Sequence, residues 1–189
     1  RSVAELERVC SITNQLKLFF PLTEKPVIVI NAGGFSTRTF LDKKLTSSMY
    51  ELVADSLQNV NQEGVEIIIQ TMPPFPWHFG GQSHHNLFVD PHEIRDFCEK
   101  YGYRICYDTS HSMMASTHYQ WKLSEFTEIV GPYVAHMHIV DALGVDGEGI
   151  DVGGGDLDFK LLASNLDKHN INTMFLPEVW QGHKNSGEG

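Results

Sequence analysis

Residues 27–30 (VIVI) form an uninterrupted run of β-branched residues, entered from Pro26 and left into Asn-Ala-Gly-Gly. A run without polar alternation predicts a strand buried on both faces. Comparable runs predict strands over Val65–Ile69, Tyr103–Tyr107, Val134–Val140 and Thr173–Val179. The segments between them carry apolar residues at helical spacing. Val3, Leu6, Val9, Cys10, Thr13, Leu16 and Leu18 predict an opening helix, and Leu52, Val53, Ser56, Leu57 and Val60 a helix over Tyr50–Val60 that stops before Glu63-Gly64. Pro91–Tyr101 has the punctuation of a third helix, with Asp90 as cap, Pro91 in the first turn and Gly102 beyond the end. Leu123–Val130 and Asp158–Asn170 complete the set, the latter capped by Asp158.

Strand-helix alternation with apolar strands implies a parallel sheet, either doubly wound or closed as a barrel. No GxGxxG or GxxxxGK[ST] follows a strand, which weakens nucleotide-binding versions; the Gly-rich 152–156 (VGGGD) follows a loop. A (β/α)8 barrel takes about 250 residues, so a chain of 189 with five predicted strands would hold only its later part. The chain opens at Arg1 inside a helical pattern and stops in a polar loop. The expectation is one domain, residues 1–189, truncated at both ends.

Charge narrows the function. The chain has 14 Lys and Arg against 24 Asp and Glu, a net −10, and lacks the basic face that grips nucleic-acid phosphates. No stretch has the roughly 20 apolar residues of a membrane span. Cys10, Cys98 and Cys106 are odd in number and show no CxxC spacing, so a reduced, cytoplasmic enzyme is expected, with no nucleic acid or membrane as partner. The oligomeric state is left open, and an oligomer is allowed.

Polar residues gather where the strands end: Asn31 after the first, Gln70 after the second, Asp108 and then His111 after the third. His136, His138 and Asp141 belong to the fourth, and Glu178 with His183 to the fifth. In parallel α/β folds these ends share one rim, where active sites form. A lone Asp after a strand is ordinarily a helix cap. His136 and His138 lie two apart and share a strand face; beside Asp108 and Glu178 they suit a divalent ion such as Mn²⁺, Co²⁺, Zn²⁺ or Mg²⁺. The segment Thr71–Val89, rich in Pro, Gly and aromatics, is long enough for a lid. Trp77, His78 and Phe79 could cover a substrate, or Phe75, Trp77 and Phe79 pack the loop on the rim, whereas His84 and His85 are expected in solvent.

The segments YDTSH (107–111), HMHIVDA (136–142), DVGGGDLDF (151–159) and FLPEVWQGH (175–183) resemble the xylose-isomerase-like TIM barrel superfamily. It groups sugar and sugar-phosphate isomerases and epimerases with endonuclease IV-type abasic-site nucleases. The resemblance implies that the chain runs from the family's third helix to its eighth strand. It implies a divalent-metal site of Gln70, Asp108, His138 and Glu178, with Glu178 as the base and His111 touching substrate or shuttling a proton. The strand ends and the aromatic loop supply the candidate contacts to a sugar or sugar phosphate: Asn31, Trp77, His78, His136, Asp141, His183 and Lys184. Lys184, in the loop after the last strand, is placed where barrels often bind phosphate.

The sequence departs from the family at Gln70, where the pattern has glutamate. An amide offers a carbonyl oxygen but no charge and no basicity, so metal binding weakens and a two-base epimerisation loses one base. The expectation is a metal-assisted sugar isomerase or epimerase-like enzyme, with a non-catalytic carbohydrate-binding barrel as the alternative. The nuclease reading is weaker, since it needs a histidine and a glutamate where Asn31 and Gln70 stand.

Overall fold

A computed structural model describes residues 2–78, 81–169, 171–180 and 182–183, with the backbone only at positions 78 and 81. Five parallel strands form a sheet in the order β1 (Val27–Ile30), β2 (Glu66–Gln70), β3 (Ile105–Asp108), β4 (Val134–Ile139) and β7 (Phe175–Pro177). Chain order and spatial order agree, as they do when each crossover returns in the same sense around a barrel. The sheet is a curled half of a (β/α) barrel. Helices α1 (Ser2–Leu16), α2 (Lys43–Gln58), α3 (Pro91–Tyr101), α4 (Thr109–Tyr119), α5 (Leu123–Val130) and α6 (Phe159–Lys168) connect or flank the strands.

Alternation within the strands divides two environments. Ile67, Ile69, Ile105, Tyr107 and Met137 join the main core with Ala54, Leu57, Ile94, Phe97, Phe126 and Leu162 from the helices. A second cluster holds only Ile68, Cys106 and Ala135, with Val27 and Val29 packed against it. The ends of the strands are then free for polar residues.

The caps are those expected. Asp90 accepts from the His92 amide at 2.8 Å to start α3, and Gly102, at φ 75°, ends it in the left-handed conformation that glycine tolerates. Asp158 accepts from Lys160 and Leu161, both at 3.0 Å, to start α6. Two findings depart from the sequence pattern. Helix α2 begins seven residues before Tyr50, at Lys43, behind an Asp42 cap. Helix α4 had no apolar stripe to announce it, because nearly every residue of Thr109–Ser116 is buried, polar and apolar alike.

The Thr71–Val89 segment folds back on itself. Met72 N donates to Phe88 O at 2.8 Å, His85 N to Pro74 O at 2.9 Å, and the Phe88 amide to the Tyr50 hydroxyl at 2.7 Å. The expected exposure of His84 and His85 is corrected here. The His84 ring packs 4.9 Å from Phe40 and 5.5 Å from Phe75, and His85 is 2% exposed. Their strand pairs with Phe35–Ser36, His85 opposite Phe35 and His84 opposite Ser36. Phe75 joins this packing, 4.7 Å from His118. Phe79 lies outside the described residues.

Candidate active site and metal centre

Parallel register sets the height of each polar side chain on the rim. Gln70 pairs with Cys106, Asp108 with His138, and His138 with Leu176, two residues before Glu178. The stagger brings four strand ends to one point. Gln70 Nε2 donates to Asp108 Oδ2 at 2.8 Å and lies 3.1 Å from His138 Nδ1. His138 Nδ1 lies 2.6 Å from Glu178 Oε2 and 3.7 Å from Asp108 Oδ2. Asp108, His138 and Glu178 offer ligand atoms that all fall within 4.8 Å of one another.

These separations fit a divalent ion. Oxygen and nitrogen ligands at about 2.0–2.2 Å from a metal lie roughly 3–3.5 Å from one another, and small side-chain movements would bring the three groups to that spacing. The mixed oxygen and nitrogen set matches Mn²⁺, Co²⁺, Zn²⁺ or Mg²⁺ chemistry. Gln70 now presents its nitrogen; half a turn of the terminal amide would present oxygen to the same place.

Electrostatics fix the protonation of the group. Burial raises the Asp108 pKa, but the His111 charge, His138 and the His111 amide outweigh it, and the carboxyl ends below its usual range. Burial lowers the His138 pKa, yet hydrogen bonds to Asp108, Cys106 and Glu178 push it up to about 12. His138 therefore holds a proton at neutral pH that a metal would have to displace. His136, half-buried one strand-repeat below with its ring 5.4 Å from His138, has its pKa lowered by burial and by the His138 charge.

Asp108 also caps α4, its Oδ1 accepting from the His111 amide at 3.0 Å, so cap and candidate ligand are one residue. This cap directs His111 over the rim. Its Nδ1 donates to Thr71 O at 2.7 Å, and its Nε2 lies 2.9 Å from Glu148 Oε1. With a carbonyl on one side and a carboxylate on the other, both ring nitrogens donate and the ring is an imidazolium. Burial lowers its pKa, but Asp108 and Glu148 raise it to about 9. His111 is thus a fixed cation beside the metal-ligand group.

Beyond His111 opens a cleft of about 350 Å³, lined by Asn31, Trp77, His111, Asp146, Glu148 and Trp180 among others. Trp77 and Trp180 are 66% and 68% exposed, leaving two indole surfaces for the apolar face of a ring. No Lys or Arg lines this cleft among the described residues. A larger hollow, about 660 Å³, lies at the other end of the strands between α1 and 61–64, and brings no histidine to its wall.

The sequence-derived set divides accordingly. Gln70, Asp108, His138 and Glu178 converge, His111 adjoins them, and Asn31 and Trp77 line the cleft. Asp141 has a different task. Its carboxylate, 0% exposed, accepts from the amides of Ala142, Gly153, Gly155 and Leu157 at 2.8–3.0 Å, gathering the Gly-rich loop instead of facing a substrate. His183 is exposed, with its position just past the described end of β7. The side chain of His78 and all of Lys184 lie outside the described residues. Glu148, Asp146 and Trp180 were not singled out from sequence; the Gly-Glu-Gly of 147–149 is the signal that marks the first of them.

The curled parallel sheet, with a polar cluster and a cleft at its C-terminal strand ends, defines the class as a (β/α)-barrel protein with a rim site. The chain matches the family described as Xylose isomerase-like TIM barrel over residues 1–189, and belongs to it. Solved structures with the same fold include a D-tagatose 3-epimerase-like protein (TM-score 0.58, 19% identity, 79% of this chain and 54% of that one). An L-ribulose 3-epimerase has TM-score 0.64 at 13% identity, over 96% of this chain and 55% of that one. The probable 3-DHS dehydratase of petrobactin synthesis from Bacillus anthracis has TM-score 0.66 at 12% identity, over 98% and 65%. The chain therefore spans about half to two-thirds of these proteins' length. No curated protein sequence matches it significantly. No helix among the described residues is long and apolar enough to cross a membrane.

Proposed function

We propose that this barrel is a metal-assisted sugar isomerase or epimerase, moving a proton at the carbon next to a carbonyl. The observation that carries the reading is the convergence of Asp108, His138 and Glu178 from three separate strand ends. Asp108, His138 and Glu178 would hold a divalent ion, with Gln70 adding its amide oxygen. Such an ion, when bound, polarises a sugar carbonyl and stabilises the charge that develops on its oxygen.

The chain's own groups divide the remaining tasks. Glu178, whose side chain is 53% exposed, reaches substrate and serves as the base. Buried Asp108 fixes His138 and His111. The His111 imidazolium, its two N–H groups donating to Thr71 O and Glu148, places a positive charge at the edge of the cleft and a proton within reach of Glu148. Trp77 and Trp180 cover the apolar face of the sugar, and Asn31 binds its hydroxyls. The substrates named for the related structures, D-tagatose and L-ribulose, make free 2-ketoses the first to try.

Gln70 favours a second reading, a barrel that binds sugar without converting it, because it removes one charge and donates to Asp108. The test is turnover of D-tagatose, D-allulose and L-ribulose with Mn²⁺, Co²⁺, Mg²⁺ or Zn²⁺, followed by chromatography of the sugars. Conversion that is lost in Glu178→Gln supports the enzyme. Tryptophan fluorescence that responds to sugar, with no conversion of any ketose, supports the binding barrel.

A further inference from the structure

Gln70 leaves the rim one carboxylate short, and the structure brings another to the rim beside His111 from an element outside the sheet. A hairpin of β5 (Asp141–Leu143) and β6 (Gly147–Ile150) follows β4 and lies against α4. Glu148 is on its second strand. Its Oε1 lies 2.9 Å from His111 Nε2, and its side chain, 41% exposed, forms part of the cleft wall.

The hairpin is built to present this one side chain. At Gly147 a Cβ would collide with the Leu143 carbonyl. Gly149 has φ +73°, and a Cβ there would sit 2.6 Å from Trp180 Cβ. The Trp180 amide donates to Gly149 O at 2.9 Å, tying the hairpin to the loop that carries Glu178. Asp141 secures the other side through its amide bonds to 153, 155 and 157. Residue 148 thus stands between two glycines that cannot be replaced without strain, and it faces the cleft.

We propose that Glu148 is the second proton-transfer group of this site, supplying the carboxylate that Gln70 does not. The proposal rests on the reading of the site as a ketose isomerase or epimerase. In one direction Glu178 takes the hydrogen next to the carbonyl as a proton. The C–H electron pair becomes the enediolate double bond, and the carbonyl oxygen takes the charge. Glu148 then takes the Nε2 proton of the His111 imidazolium 2.9 Å away and delivers it to the same carbon, and the carbonyl re-forms. Glu178 ends protonated, Glu148 ionised as it began and His111 neutral, and exchange with water resets Glu178 and His111. The reverse reaction exchanges the roles, and no oxidant or reductant enters.

The test uses the chain with Mn²⁺ in D₂O, starting separately from D-allulose and from its C3 epimer D-fructose. Nuclear magnetic resonance follows both the epimer formed and deuterium at carbon 3 of the recovered sugar. Glu148→Gln should lower epimerisation from either side by at least about a hundredfold, the usual worth of a general acid or base. It should keep deuterium exchange from one epimer only, and Glu178→Gln should keep it from the other. Glu148→Asp should restore part of the epimerisation. The proposal is overturned if Glu148→Gln epimerises within threefold of wild type. It is also overturned if exchange is lost equally from both epimers while circular dichroism is unchanged, which would make Glu148 a positioning residue. If the unmodified chain neither epimerises nor exchanges either sugar, the ketose reading itself fails, and this inference with it.

Discussion

Asp141→Ala isolates the largest structural debt of the rim. The Asp141 carboxylate is 0% exposed and accepts from four backbone amides, those of Ala142, Gly153, Gly155 and Leu157. Removing it leaves four donors without an acceptor, but their surroundings differ. Gly153 is exposed and Gly155 half-exposed, so water replaces the carboxylate there. Ala142 and Leu157 are 0% and 7% exposed, and their amides lose a bond with no substitute. Each buried unsatisfied amide costs about 1–3 kcal/mol, which puts the total near 3 kcal/mol. For a domain of this size that is a fall of roughly 6–12 °C in Tm. Urea denaturation followed by circular dichroism measures it directly. Asp141→Asn should lose clearly less, because its remaining oxygen still accepts from Ala142 and Leu157 while its new NH₂ faces only the more exposed amides of Gly153 and Gly155. A loss below about 1 kcal/mol for Asp141→Ala would refute this, since the Gly-rich loop would then hold its shape without the carboxylate.

Other outcomes follow from the same contacts. Gly149→Ala meets both a φ of +73° and a Trp180 Cβ 2.6 Å away, and should cost about 2–4 kcal/mol in urea unfolding. His111 is raised from 6.5 to about 9 in the fold, so its contribution is complete below pH 6.5 and lost as pH rises through 9. Urea titrations in EDTA from pH 6 to 10 should therefore show stability falling, with His138, also raised in the fold, adding to the fall, and Glu148→Gln should lessen it. Gln70→Glu sets a second carboxylate against Asp108, where the amide now donates at 2.8 Å. Its Tm should fall below wild type in EDTA and rise further than wild type on adding Mn²⁺, as differential scanning calorimetry can show.

Much of the fold was legible in the sequence because parallel strands buried on both faces are unbroken apolar runs. All five strands fall where VIVI, EIII, ICY, VAHMHI and FLP stand, with boundaries shifted by a residue or two. Asp90, Asp158 and Gly102 announced their helix ends by residue type alone. Helix α4 was not legible, since its Thr, Ser, His and Met face burial on all sides and leave no amphipathic period. His84 and His85 were misread because a polar doublet in a loop gives no sign that Phe40 and Phe75 will cover it.

The candidate site divides along the same line. Asp108, His138 and Glu178 could be read from strand ends, because parallel topology fixes where those ends meet. Asp141 looked equivalent to Asp108 in sequence, and only the path of the later loop shows that its oxygens are already taken. Glu148 was hidden because its place on the rim comes from a hairpin whose turn and glycine contacts have no counterpart in the strand pattern.

The central claim is that Asp108, His138 and Glu178 hold one divalent ion. Isothermal titration calorimetry of Mn²⁺ into the chain, wild type beside His138→Ala, tests it most directly. Wild type should bind one ion per chain, and His138→Ala should lose that binding. Absence of Mn²⁺ binding in the wild type, or binding unchanged in His138→Ala, would contradict it.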